Sequence, residues 1–185
     1  WAKIMWIKSS DLGRTWESPE IFWNKPGWTL RSRMIRLQNG NIVIPALTQG
    51  SPELKLNRAQ TVFIYSENNG RSWQSTEIVR TEPGNNEAAL FQRDNGSLLA
   101  FMRPYDRQPD ERFLWQSESF DNGLSWSAAS RTVLRNPSSA IELLKLHNGH
   151  VVLAFNDSHN MRSPLCLALS LDDGSTWSYC RVLED

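Results

Sequence analysis

The sequence predicts an all-β fold, a partial β-propeller assembled from four-stranded units. Three observations carry the prediction. An eight-residue turn motif recurs four times, a second turn signal interleaves with it at a fixed offset, and the stretches between are short apolar runs of strand length.

The longer motif reads Ser-x-Asp/Asn-x-Gly-x-Ser/Thr-Trp. Its copies run Ser9 to Trp16, Ser66 to Trp73, Ser119 to Trp126 and Ser170 to Trp177, with Asp11, Asn68, Asp121 and Asp172 in the acidic slot. Their glycines, Gly13, Gly70, Gly123 and Gly174, lie 57, 53 and 51 residues apart. The second signal is Asn-Gly after an apolar run, at Asn39-Gly40, Asn95-Gly96 and Asn148-Gly149, each 26 or 27 residues behind a motif glycine. Asn-Gly between alternating apolar segments predicts a two-residue hairpin, since both residues tolerate positive φ. In the longer motif the Asp or Asn side chain can accept backbone N–H bonds across the turn. The closing Trp16, Trp73, Trp126 and Trp177 are expected to bury their indoles, a structural role that accounts for four of the nine tryptophans.

Strands then fall in sets of four: about 31–37, 42–47, 60–66 and 73–80; about 87–92, 97–103, 112–119 and 126–134; about 140–146, 150–156, 163–170 and 177–183. Residues 1–23 hold only the last two strands of an earlier unit. The chain is therefore expected to form one domain, 1–185, divided into a half blade (1–25) and blades at 26–82, 83–135 and 136–185. About three and a half blades leave two apolar faces, so self-association through those faces is expected.

Twenty basic and 20 acidic residues balance, which argues against a nucleic-acid partner. No apolar run approaches the roughly 20 residues of a membrane span. The opening residues are too short for a signal h-region and no initiator Met precedes them, so the sequence reads as starting inside a longer protein of undetermined location. Three histidines show no metal-ligand spacing, and neither a metal nor a cofactor is expected. Cys166 and Cys180 lie nearly symmetrically about the last motif turn, and two buried free thiols are expected rather than a cross-strand disulfide.

The four motifs resemble the Asp-box (BNR) repeats of sialidases, also called neuraminidases, and the resemblance spans the chain. Its most specific part is C-terminal: Leu134-Arg135-Asn136-Pro137-Ser138-Ser139, Leu146-His147-Asn148-Gly149, Phe155-Asn156, Arg162-Ser163-Pro164-Leu165 and Val182-Leu183-Glu184-Asp185 are similar to sialidase-like repeat proteins. The resemblance implies a sialidase-type β-propeller of six blades.

Topology locates the site. In an antiparallel four-strand unit, the start of strand 1, the end of strand 2 and the start of strand 3 share one edge, and the Asp-box turn lies on the other. Glu87 opens a first strand, Arg103 ends the second strand of that unit, and Arg162 precedes a third strand in the next. All three are expected on the edge opposite the Asp boxes. The resemblance then implies roles: Glu87, in Asn86-Glu87-Ala88-Ala89-Leu90, as partner and base of a tyrosine nucleophile, and Arg103 and Arg162 as two arginines of a triad that binds the substrate carboxylate. Guanidinium forks suit a carboxylate bidentately. A tyrosine nucleophile avoids the charge clash that a carboxylate would meet with this substrate.

Possible further pocket residues are Arg31 and Arg33, which share a side by strand alternation and are equally open to a surface salt bridge, together with Tyr105, Asn156 and Asp157. Asn156-Asp157 can serve either sugar hydrogen bonding or a loop cap, and Trp28 is expected in the core or a lid rather than stacked on a glycan ring. Arg107, Asp110, Glu111 and Arg112 read as a solvated rim. Tyr65 and Tyr179 sit beside Asp boxes on the wrong edge. The family's tyrosine nucleophile and acid/base aspartate thus have no counterpart in this chain, which is expected to lack turnover alone. The resemblance implies an exo-acting glycoside hydrolase for terminal sialic acid, with a sialylated or other acidic glycan as partner. Two alternatives stay open: a non-catalytic Asp-box propeller binding glycans or proteins, and a propeller enzyme acting on another acidic sugar such as a uronic acid.

Overall fold

The structure is a computed structural model that describes residues 3–49, 58–105 and 112–185. Every regular element among them is a β-strand. Two strands, β1 (Ile4–Trp6) and β2 (Glu20–Trp23), form an antiparallel pair. The second sheet holds β3 (Trp28–Leu30), β4 (Ile35–Arg36), β5 (Ile42–Thr48), β6 (Gln60–Ser66) and β7 (Gln74–Ser75), with β3 and β4 both on β5. The third orders β8 (Asn85–Gln92), β9 (Leu98–Pro104), β10 (Phe113–Ser119) and β11 (Ser130–Arg135) as a meander. The fourth does the same with β12 (Glu142–Lys145), β13 (Val151–Asn156), β14 (Leu165–Ser170) and β15 (Tyr179–Glu184). All pairings are antiparallel, as hairpin connections require.

The inner strand expected at 31–37 is broken in two, with residues 31–34 outside any strand. Alternation therefore does not govern Arg31 and Arg33. The fourth strands also start later than expected, because the Asp-box Trp and the residues after it pack as irregular chain before pairing resumes.

The Asp boxes share one hydrogen-bond pattern. In the first, Ser9 Oγ accepts from Gly13 N at 2.8 Å, and Asp11 Oδ1 accepts from Arg14 N and Thr15 N at 3.0 and 2.9 Å. Thr15 Oγ1 donates to Asp11 Oδ2 at 2.6 Å. Where Asn68 replaces the acid, the last bond reverses, and Asn68 Nδ2 donates to Ser72 Oγ at 2.7 Å. Each turn places two successive residues in left-handed backbone, Leu12, Asn69, Asn122 or Asp173 followed by glycine. The Asn-Gly hairpins differ from the expected two-residue form. Only the glycine has positive φ, its N–H bonds the carbonyl three residues back, and the Asn side chain instead caps the N–H two residues on, as Asn39 Oδ1 does for Asn41 N at 3.0 Å. This is a bulged hairpin closed by a left-handed Gly.

Core packing runs from sheet to sheet. Trp73 packs edge-on to Phe22, Trp126 stacks on Phe63 with centroids 3.8 Å apart, and Trp177 meets Phe101. Each of these three Asp-box Trp residues thus reaches back onto the preceding sheet. Trp16, in the first pair, has no preceding sheet among the described residues and is 58% exposed, so the expectation of burial fails for that copy. Two of the box glycines make the same contact: a Cβ on Gly123 would meet Val43 Cγ2 at 2.7 Å, and one on Gly174 would meet Phe91 Cζ at 2.8 Å. Outward-facing Met5, Ile7 and Ile21 at one end, and Tyr179, Val182 and Leu183 at the other, remain exposed.

Candidate functional site

The turn edges separate as the repeat requires. The Asn95-Gly96 hairpin lies against the fourth Asp box, with Asp94 N donating to Asp173 Oδ2 at 2.6 Å and Lys145 Nζ bridging Asp94 and Asp173 at 2.8 and 2.6 Å. Glu87, Arg103, Tyr105 and Arg162 sit at the other ends of their strands.

Glu87 lies in β8 at a β-bulge. Between Asn86, opposite Arg103, and Ala89, opposite Phe101, the strand carries one residue more than its partner. Glu87 takes up the excess with φ +46, a conformation that side-chain-bearing residues resist. Such strain persists where the surroundings over-determine it, and it clusters at functional sites. The bulge aims the Glu87 carboxylate at Arg103, with Oε1 2.8 Å from Nη2, and both side chains are only 16% exposed. Arg31 Nε approaches the other oxygen, Oε2, at 3.7 Å, so one carboxylate lies between two guanidiniums.

Arg103 is held on three sides. Its Nε donates to Asn86 Oδ1 at 2.7 Å, its Nη1 to the Ser138 carbonyl at 2.7 Å, and its Nη2 pairs with Glu87. A guanidinium has five N–H donors, so among the described residues two are left over, enough for a bidentate carboxylate. Burial pushes the Arg103 guanidinium below its ordinary range; Glu87 acts against this, and the positive charges of Arg162 and Arg31 add to it. Arg162 is exposed, and its charge is felt at Arg103. The chemistry on offer is a cationic cluster, organised around one half-buried carboxylate, with donors unspent.

The other expected residues divide. Arg31 reaches the site. Arg33 does not: its Nε donates to Glu142 Oε1 at 2.9 Å and its Nη2 to the Leu143 carbonyl at 2.6 Å, because the strand break turns the two arginines apart. Asn156 caps the loop before Arg162, its Nδ2 donating to the carbonyls of Arg162 and Pro164 at 3.0 and 3.2 Å. Asp157 is taken by Arg135 through two 2.9 Å bonds. Tyr105 lies at the site edge, its hydroxyl accepting from Gln49 Nε2 at 2.8 Å and its N–H bonded to the Gly84 carbonyl. Trp28 is a core residue, 4% exposed. Arg107, Asp110 and Glu111 lie outside the described residues. Cys166 is buried but Cys180 is exposed, against the expectation of two buried thiols, because β15 is the outer strand of the last sheet and carries no covering layer.

Three features of the site escaped the sequence: the acceptor role of Asn86, the Ser138 carbonyl and the strained backbone of Glu87. The Asn-Pro step at 136–137 signals a turn there and is the one local hint of the second. Among the described residues no group of three or more His, Cys, Asp or Glu converges to hold a metal, and no helix is long and apolar enough to cross a membrane.

Comparison with known proteins agrees with this architecture. The model of the BNR repeat-like domain matches residues 1–185. A sialidase of Bacteroides fragilis is 26% identical over 193 residues, covering 96% of this chain and 34% of the relative. Among solved structures, a Hadza microbial sialidase superposes with a TM-score of 0.79 at 24% identity, over 99% of this chain and 37% of that one. The NanB sialidase of Streptococcus pneumoniae gives 0.77 at 18%, over 97% and 28%. The chain spans about a third of the length of the curated relative it matches. With four Asp boxes in one hydrogen-bond pattern, all-β antiparallel sheets and a family model matched from end to end, the chain belongs to the BNR repeat-like family, whose relatives here are sialidases.

Proposed function

We propose that this chain contributes the carboxylate-binding part of a sialidase-type glycosidase site, acting on terminal sialic acid. The sheets are read as blades of a propeller at 1–25, 26–82, 83–135 and 136–185, whose open faces take further blades or a second copy. The observation that carries the reading is the convergence of Glu87, Arg103 and Arg31, with the charge of Arg162 bearing on the same guanidinium. Arg103 and Arg162 hold the sugar carboxylate, and Arg31 adds a positive wall. Glu87 orients Arg103 and stands as the partner of a nucleophilic tyrosine supplied from outside this chain. Neither Tyr65 nor Tyr179 serves, since both adjoin Asp boxes, and Tyr105 is bonded to Gln49.

The test is calorimetric titration with N-acetylneuraminic acid and with its methyl ester, beside a fluorogenic sialoside assay. The acid should bind and the ester should bind at least about tenfold more weakly, because a charge-assisted bond contributes roughly 1.5–3 kcal/mol. Arg103→Met should shrink the difference severalfold, with Arg162 and Arg31 accounting for what remains. Equal binding of acid and ester overturns the reading, and turnover of the sialoside overturns the assignment of the nucleophile to another segment.

A further inference from the structure

The segment Asn136-Pro137-Ser138-Ser139 links the third and fourth sheets and enters the site as drawn so far only through the Ser138 carbonyl. Asn136 is fully buried. Its N–H is bonded to the Arg112 carbonyl at 3.0 Å, and its Oδ1 accepts from Ser139 N at 2.9 Å. That side-chain bond closes a turn in which Ser138, a residue with a Cβ, takes φ +62. In this conformation the Ser138 carbonyl points back across the sheet boundary and receives Arg103 Nη1 at 2.7 Å. The strained Ser138, in the linker, and the strained Glu87, in β8, thus flank the same guanidinium. Strain held at two points around one side chain marks a group whose orientation is specified.

We propose that Asn136 is a positioning residue of the site: it fixes the left-handed Ser138, whose carbonyl, with Asn86 and Glu87, locks the Arg103 fork toward the ligand. This rests on the reading of Arg103 as a carboxylate ligand, but its geometry can be tested without a sugar. Rotation of the Ser138 peptide would free Nη1 and let the guanidinium turn on its stem. Such a loss of preorganisation weakens the carboxylate contact without removing any contact residue.

Two readouts separate the ideas. The first is phenylglyoxal labelling, with modification of Arg103 followed by peptide mass spectrometry. The second is titration with N-acetylneuraminic acid and its methyl ester. Asn136→Ala and Ser138→Val, the latter because a β-branched residue resists positive φ, should speed Arg103 labelling severalfold and reduce acid binding on the order of tenfold. Binding of the ester should stay unchanged in both. Ser138→Gly, which accepts positive φ without strain, should behave as the unsubstituted chain in both assays. If Asn136→Ala does not fold, Ser138→Val against Ser138→Gly decides alone. Arg103 labelling that is the same in Val and Gly variants overturns the positioning role. Faster labelling in a chain that never distinguishes acid from ester supports it while removing the carboxylate-binding function.

Discussion

Replacing Gly174 by alanine isolates what joins one sheet to the next. Gly174 and Gly149 have nearly the same backbone, φ +85 and +87, and sit on the same edge of neighbouring turns. Both substitutions force a Cβ into a backbone region that costs about 1–2 kcal/mol. They differ in what that Cβ meets. At Gly149 the nearest atom is Asp94 Oδ2 at 3.7 Å, an ordinary contact. At Gly174 it would lie 2.8 Å from Phe91 Cζ and 2.9 Å from Leu99 Cδ2, both core atoms of the third sheet. Overpacking a filled core adds about 1–3 kcal/mol. Gly149→Ala should therefore lose about 1–2 kcal/mol and Gly174→Ala about 2–5 kcal/mol. At about 2–4 °C per kcal/mol for a domain of this size, the second should melt roughly 5–20 °C below the parent. Urea unfolding followed by tryptophan fluorescence reads both, provided the slope stays constant. Equal losses in the two variants would refute the claim that Gly174 is a close sheet-to-sheet contact.

Other outcomes follow from the same geometry. Leu12 sits fully exposed at φ +61 where the later boxes carry Asn69, Asn122 and Asp173, so Leu12→Asn should raise the melting temperature by a few degrees; no rise counts against strain at that residue. Hydrogen bonds from Thr15 and Thr176 hold the Asp11 and Asp172 carboxyls down from 3.8 to about 2. A depressed carboxylate stabilises the fold above its unfolded value and loses that contribution as pH falls through the folded one. Stability should thus decline between pH 4 and 2, with a shallower slope in Asp172→Asn, and an unchanged slope rejects the assignment. Finally, partial desolvation against its strand neighbours, followed by the adjacent Cys166, pushes the thiol of the surface-exposed Cys180 up to about 11. Ellman's reagent should find one slow thiol in the native chain and two after unfolding; two in the native chain would contradict the burial of Cys166.

The repeat made the sheets legible because its turn chemistry is local: an Asx bond and a left-handed Gly need only eight residues of sequence. The edge bearing the site was legible too, since antiparallel topology sends Glu87, Arg103 and Arg162 the same way. What stayed hidden depends on partners distant in sequence. Nothing near Arg33 reveals that its strand breaks at 31–34 and that its guanidinium goes to Glu142, 109 residues on. The bulge at Glu87 is equally silent, because the extra residue shows only against the register of β9. Asn156 was open between cap and ligand, and its two loop carbonyls settle its donors in favour of the cap.

The Arg33 bond bears on how this molecule comes apart. Repeat proteins are ordinarily one-dimensional arrays in which each unit touches only its neighbours, so that units fray one at a time. Arg33, from the second sheet, grips a carbonyl and a carboxylate of the fourth, passing over the third. It adds a second-neighbour coupling to the array. Fraying of the second or the fourth sheet therefore costs this contact as well, a small term for a pair half-exposed at both ends.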